Sequence, residues 1–293
     1  MSKWIVIISL ALFSLNCRQA NGKELTRVSM DSIADMVGFR ANGSLRLLAT
    51  RGFEFTISDG SKTQKVVGKG FDKKDIIKCK FSANRERIVA ITGPIRNLLF
   101  TSPLNISYKY HLSAPQGDRE TVVVFTDSLL QLDISQCQSV RNLLCREYQL
   151  TELDVTHNPD LEQLDCSENR LRTLDMSQNR NLQVLFCSKN QLKDIDVIHN
   201  QKLRELVCFD NENLSLDVSA NRNLEFLSCD GLLQELDVTN NIELRTLICR
   251  CKLTALDLSQ NKKLRKLLIS GNNFSAEELN AVFKTLPVVD YYN

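Results

Sequence analysis

Several features are scarce in this 293-residue chain, and each scarcity closes off a class of function. No stretch reaches the roughly 18 consecutive apolar residues that a membrane-spanning helix requires, which excludes an integral helical membrane protein. There is no G-x-S-x-G nucleophile turn and no H-E-x-x-H pair, and Gly68-Lys69-Gly70 lacks the spacing of a phosphate loop. Histidine occurs three times, at 111, 157 and 199. Aromatic residues make up 6% of the chain, and no run of Lys and Arg interleaves with them, so nucleic acid is not an expected partner. Catalysis therefore has no specific footing in the sequence.

What is present reads as globular: 43% apolar and 25% charged residues, with a net charge of +2. That near-neutral total conceals two unlike halves. Residues 1–127 hold 19 Lys and Arg against 11 Asp and Glu, while residues 128–293 hold 18 against 24. At the start, Lys3 precedes an apolar run from Trp4 to Phe13, the one-charge entry and short hydrophobic core of a secretory leader. Two exits are visible. Ala20-Asn21-Gly22 offers small residues for cleavage, and Ser14-Leu15-Asn16-Cys17 is an imperfect bacterial lipobox whose Cys17 would carry the lipid. Export is the expectation, with residues 1–22 as leader and the membrane reached only through such an anchor.

A repeat dominates the second half. Leu-Asp or Ile-Asp pairs place aspartates at Asp133, Asp154, Asp175, Asp196, Asp217, Asp237 and Asp257, at steps of 21 and then 20 residues. Cysteines keep the same beat at Cys145, Cys166, Cys187, Cys208, Cys229 and Cys249, with Ile269 in the next place. One unit runs Leu161-x-x-Leu164-x-Cys166-x-x-Asn169-x-Leu171-x-x-Leu174-Asp175-Met176-Ser177-x-Asn179. It echoes itself, because its first ten and last eleven residues both read L-x-x-L-x-(apolar)-x-x-N. Alternation turns the flanking apolar residues inward and the middle residue outward, so each coil should carry two short strands on opposite walls. Stacked coils give a mainly β solenoid with two parallel ladders around a narrow core. Asn169, Asn190, Asn211 and Asn272 suit tight turns on one edge, as do Asn158, Asn179, Asn200, Asn221, Asn241 and Asn261 on the other. Tyr148, Leu232 and Cys251 break the first series, and looser turns are expected there.

With these motifs in view, residues 128–270 resemble the bacterial leucine-rich repeats of 21 residues with nested ten-plus-eleven halves. The resemblance covers about half of the chain. It implies an exported or surface-attached, non-enzymatic protein that binds partners through the exposed face of one sheet.

Solenoid ends need covers. Ser275-Ala276-Glu277-Glu278 is a capping box, and Leu279, Val282, Phe283 and Leu286 follow at helical spacing before Pro287. A C-terminal cap helix and tail are expected over 275–293. At the other end, Ile95 to Phe100 resembles a degenerate half-unit and Thr121–Phe125 a strand. Residues 23–127 thus form a β-rich cap region, and 128–274 the repeats. The basic excess of the cap reads as a solvated surface.

Ten cysteines in an exported chain ordinarily indicate disulfides. Here equivalent cysteines on stacked coils lie about 4.8 Å apart with parallel Cβ vectors, an orientation that disfavours the disulfide torsion, so buried free thiols are expected. Cys249-Arg250-Cys251 supplies two sulfur ligands, but no second pair and no nearby His completes four, so neither a metal nor a cofactor is expected. His157 and His199 share one repeat position two coils apart and read as a repeat coincidence. The Asp ladder has two readings: acceptors for turn amides and neighbouring Ser or Thr, or a row of carboxylates that recruits cations.

The two walls differ in variety. Outward positions on the Asp wall are monotonous, mostly Glu, Asp, Ser and Thr. On the Cys wall they vary and are frequently large and apolar: Leu144, Val184, Phe186, Val207, Phe209, Phe226, Ile248 and Leu268. Arg146, Asp165, Glu205, Asp230, Arg250 and Lys266 would rim this band. Exposed apolar patches of this kind mark interaction sites. A protein ligand, or a glycan, is the expected partner, at the envelope or on a host. Coverage of the band by residues 101–128 or by the N-terminal region, and homodimerisation through it, are the alternatives. A scaffold without a ligand, or an enzyme with its chemistry in residues 24–127, would be a different kind of protein.

Overall fold

The computed structural model describes residues 137–212 and 215–285 throughout, and from 36 to 136 and at 290–291 strand segments only. The leader, Cys17, His111, Gly68 to Gly70, Leu286 and Pro287 lie outside the described residues. Among those described, no helix is long and apolar enough to cross a membrane.

Nine strands precede the regular repeats: β1 (Met36–Asn42), β2 (Leu45–Ala49), β3 (Glu54–Ser58), β4 (Thr63–Val67), β5 (Ile77–Cys79), β6 (Arg87–Thr92), β7 (Asn97–Thr101), β8 (Thr121–Phe125) and β9 (Ser128–Gln136). Seven more follow at one per coil: β10 (Asn142–Leu144), β11 (Gln163–Asp165), β12 (Val184–Phe186), β13 (Glu205–Val207), β14 (Phe226–Asp230), β15 (Thr246–Arg250) and β16 (Lys266–Leu268). β17 (Asp290–Tyr291) pairs with β16. The coil strands pair in parallel without a register slip, Leu143 beside Leu164, Leu185, Leu206, Leu227, Leu247 and Leu267 in turn. Every one of these leucines is buried. A one-residue slip would carry the whole row to the solvent face, so the burial itself fixes the register.

The core is a column of stacked rings. In one coil Leu161, Leu164, Cys166, Leu171 and Met176 are each at most 2% exposed. Burying a large aliphatic side chain stabilises by roughly 1.5–3 kcal/mol relative to leaving it in water, so these rings dominate cohesion. Cys145, Cys166, Cys187, Cys208, Cys229 and Cys249 line the same column as small apolar groups, and these six, with Cys137 and Cys251, are free thiols.

The Asp wall departs from the expected second ladder. Its Leu and Val or Met residues alternate inward as predicted, with Val155, Val197, Val218 and Val238 fully buried, yet among the described residues beyond β9 the wall forms a single isolated bridge, Asp194 to Ser215. The aspartates account for this. In all seven units the Asp Oδ1 accepts a hydrogen bond from the backbone amide two residues on, from Ser135 N at 2.9 Å in the first to Ser259 N at 2.8 Å in the last. That bond bends the chain into the next turn and withdraws the amide from pairing between coils.

Two asparagine ladders close the edges. Asn179 Nδ2 donates to Val155 O (2.9 Å) and Asn158 O (2.8 Å), and Asn158, Asn200, Asn221, Asn241 and Asn261 make the equivalent bonds. On the other edge Asn190 Nδ2 donates to Cys166 O at 3.0 Å while its Oδ1 accepts from Leu171 N at 3.0 Å. Asn169, Asn211 and Asn272 repeat that pattern.

β7 lies parallel to β10, with Leu98 opposite Leu143. β8 lies parallel to β7, and β2 and β5 extend the same twelve-stranded sheet. β9, which carries Asp133, enters a second, five-stranded sheet in the order β4-β3-β6-β1-β9. Each wall of the solenoid therefore continues into its own N-terminal sheet. At the opposite end, α1 (Ala276–Thr285) is opened by the predicted capping box: Ser275 N donates to Glu278 Oε2 (2.8 Å), and Glu278 N to Ser275 Oγ (3.2 Å). Val282 joins the column of core residues, and Leu279 and Phe283 are half-buried.

Candidate functional site

The parallel register sorts the outward side chains of the Cys wall into rows running from coil to coil. The central row reads Leu144, Asp165, Phe186, Val207, Ser228, Ile248, Leu268. The row beside it reads Asn142, Gln163, Val184, Glu205, Phe226, Thr246, Lys266. Phe209 stands one residue beyond its Cys. All eight apolar residues predicted for the band are half-buried, none sealed and none standing free. Rungs repeat at about 4.8 Å, so Val184, Phe186, Val207 and Phe226 fall within one contiguous patch.

The predicted rim needs correction. Asp165 lies in the central row between Leu144 and Phe186, and Glu205 lies between Val184 and Phe226, so both interrupt the band rather than border it. Burial raises the Asp165 carboxyl above the usual Asp value, against the bond it accepts from Ser167 N at 3.0 Å. Asp230 also sits above that value because of burial, although Asp210 N donates to it.

The borders are ion pairs between coils. On one edge Glu168 lies between Arg146 (2.6 Å) and Lys189 (3.3 Å). Partial desolvation opposes its ionisation, but the two cations outweigh it and hold the Glu168 carboxyl below the usual range. On the other edge Arg141 meets Glu162 at 3.1 Å, and Glu225 is shared by Arg204 at 2.6 Å and Arg245 at 3.4 Å. These pairs join residues about one repeat apart. The signal that would have found them is opposite charge at 20- to 22-residue spacing.

Of residues 101–128, the described strand β8 lies in the plane of the Cys-wall sheet, beyond β7, and not above the band. His157 and His199 are both exposed on the Asp wall with a full coil between them. His157 Nδ1 sits 3.7 Å from Asp154 Oδ2. The aspartates there serve turns; the side chains of Thr156 and Thr239 add bonds to Asp154 and Asp237, each at 2.6 Å.

One cluster was not foreseen. Cys229 joins Cys249 and Cys251, and the three sulfurs lie within 4.8 Å of one another, all buried. Cys249 Sγ donates to Cys251 Sγ at 3.2 Å. Bonds from the thiols of Cys229 and Cys249 pull the Cys251 thiol down to about 4, whereas burial pushes Cys166, Cys187 and Cys208 well above the ordinary thiol value. The expectation that Cys249 and Cys251 stand alone is thus corrected: three sulfurs meet, where the linear spacing showed two.

No protein-family model and no curated protein matches this chain. Among solved structures it is similar to an internalin, InlF, of Listeria monocytogenes, at 18% identity and a TM-score of 0.49, over 56% of this chain and 53% of that one. It is similar to a leucine-rich repeat protein of Leptospira interrogans, at 19% identity and a TM-score of 0.44, over 55% and 56%. The functional domain of InlJ from Listeria monocytogenes, described as including a cysteine ladder, shares 26% identity over 56% of this chain and 44% of its own, with a TM-score of 0.37. The likeness thus extends over about half of each of these solved chains. These neighbours of the solenoid are bacterial leucine-rich repeat proteins.

Proposed function

We propose that this chain is a non-enzymatic, exported recognition module that binds a protein partner, or a glycan borne by one, through the Cys wall. The observation that carries the reading is the contrast between its walls. The Asp wall uses its outward carboxylates in turns, whereas the Cys wall presents Leu144, Val184, Phe186, Val207, Phe209, Phe226, Ile248 and Leu268, each half-buried, between two lines of ion pairs. An apolar centre with a charged border is the usual anatomy of a protein interface, and aromatic side chains carry a large share of its energy. Leader removal before or at Cys17, with lipid attached there, would hold the module at an envelope or cell surface.

Capture experiments with the full mature chain test this directly. Wild-type protein and a Phe186→Ser, Phe209→Ser, Phe226→Ser variant are presented to solubilised envelope and host-surface proteins, with thermal unfolding confirming that both are folded. Partners retained by the wild type and lost from the variant support the proposal; an identical captured set overturns it. Light scattering on the same samples identifies self-association, the case in which the partner is a second copy.

A further inference from the structure

The cysteine cluster sits where the repeat loses a residue. In the other coils the second residue after the ladder position takes the left-handed conformation: Glu147, Glu168, Lys189, Asp210, Gly231 and Gly271 have φ between 53° and 100°. Cys251 occupies that place in its coil and, alone in the series, has no positive φ. The four non-glycine left-handed residues are at least partly exposed, whereas Cys251 is 1% exposed. The coils of Cys229 and Cys249 are each one residue short between Cys and the next Leu, and neither has the turn Asn that ties coils at Asn169, Asn190, Asn211 and Asn272; counted from the ladder cysteine, Leu232 and Lys252 take its place, so Cys251 falls one residue before the position the sequence assigned it. The strands run on in consequence, β14 and β15 having five residues where the other coil strands have three. Cys229 and Cys249 are paired directly across β14 and β15. Cys251 completes a triangle of sulfurs buried at this edge.

We infer that Cys229, Cys249 and Cys251 form a three-sulfur site for one thiophilic cation of the Zn(II), Cd(II) or Cu(I) class. At a metal–sulfur distance near 2.3 Å, sulfurs in a tetrahedral shell stand about 3.8 Å apart. The cluster brackets that value, from 3.2 Å for Cys249 to Cys251 up to 4.8 Å across the set. Small shifts of the sulfurs reach it. The three sulfurs bind as thiolates: the thiol protons of Cys229 and Cys249 leave to solvent as three sulfur–metal bonds form, Cys251 binding as the thiolate it already is at neutral pH; no electron is transferred, and a water fills the fourth place on a divalent ion. Arg250 and Lys252, exposed on either side of Cys251, set positive charge beside the resulting anionic centre. The ion would staple the two short coils together where the asparagine bonds are missing.

The test uses the full mature chain, fully reduced as shown by a thiol count after unfolding, and titrated anaerobically with Cd(II). The expected result is one equivalent bound with a thiolate-to-metal ultraviolet charge-transfer band, accompanied by a rise in Tm. Cys251→Ser should abolish the band and the Tm shift, while Cys187→Ser, in the ladder but outside the cluster, should keep both. Absence of the band, its survival in Cys251→Ser, or binding of several equivalents that every cysteine variant weakens alike would overturn the assignment. Should Cys251→Ser fail to fold, Cys251→Ala and Cys229→Ser carry the same comparison. Because no apolar band residue is altered, the outcome is independent of partner binding.

Discussion

The side-chain amide of Asn179 reaches the carbonyl of Asn158, 21 residues earlier, at 2.8 Å, and both side chains are fully buried. Its nitrogen also satisfies Val155 O, whereas its Oδ1 has no hydrogen-bond partner. The donor is therefore the working half of the group. Asn179→Ala removes two buried hydrogen bonds, leaving Val155 O with Asn158 N (3.0 Å) and Asn158 O with Leu161 N (3.1 Å), and should cost about 1–3 kcal/mol, at about 0.5–1.5 kcal/mol per bond. Asn179→Asp should cost more, because a carboxylate would face two carbonyl oxygens. Asn181→Ala is the control, since that partly exposed side chain makes only surface bonds, to Pro159 O and from Lys202 Nζ, and it should change stability by less than about 0.5 kcal/mol. Urea unfolding of the three variants reads the order.

Core truncation should be costly at any rung. Leu206 is fully buried between Leu185 and Leu227, so Leu206→Ala should destabilise by about 2–5 kcal/mol, the range for a buried Leu whose cavity collapses incompletely. Chemical denaturation with an unchanged slope would show that the loss lies in the native packing.

These inward leucines, the cysteine ladder, both asparagine edges and the capping box of Ser275 were legible in the sequence, because each position recurs with the period or carries a local signature. What was not legible depends on competition between local and inter-coil bonds. Asp133 to Asp257 mark a wall that alternates like a strand, yet their claim on the amide two residues on reduces the ladder to one bridge. The same holds at the site. The band residues were found by alternation, but the row positions of Asp165 and Glu205 required the register, and Cys251 turned inward only because its backbone left the left-handed well its counterparts occupy.

Acid should weaken the Asp wall. Asp175, Asp217, Asp237 and Asp257 lie below their ordinary value of 3.8 because Ser or Thr at the second following position donates to each. Their stabilisation is complete above 3.8 and lost as pH falls through their lower folded values. Asp165, raised by burial, has the opposite sign: ionising it as pH rises through its folded value costs stability. Unfolding followed from pH 6 downward should therefore show Tm dropping most steeply below about 4, and Asp237→Asn should flatten that drop.

Surface charge should contribute little to stability. Glu225 is shared by Arg204 and Arg245, all three at least partly in water, and such pairs are typically worth under about 1 kcal/mol. Glu225→Gln should lower stability by less than that, and raising salt from 0.05 to 0.5 M should shrink the difference as the Debye length contracts. A larger, salt-insensitive loss would mean that the ion pairs hold the coils in register.

Thiol chemistry should divide the cysteines by position along one ladder. Cys145, Cys166, Cys187 and Cys208 are buried and their thiols are pushed up by desolvation, so almost none is thiolate at neutral pH. The Cys251 thiol is lowered by two donating neighbours and lies at the turn edge between exposed Arg250 and Lys252. Because the thiolate is the nucleophile, iodoacetamide should modify Cys251 first in native, metal-free protein. The ladder cysteines should react only at the rate of global unfolding, as peptide mapping over a time course would show. Modification of Cys187 ahead of Cys251 would mean that the column opens at its middle before its edge. Prior addition of one equivalent of Cd(II) should protect Cys251 and leave the slow reaction of Cys187 no faster.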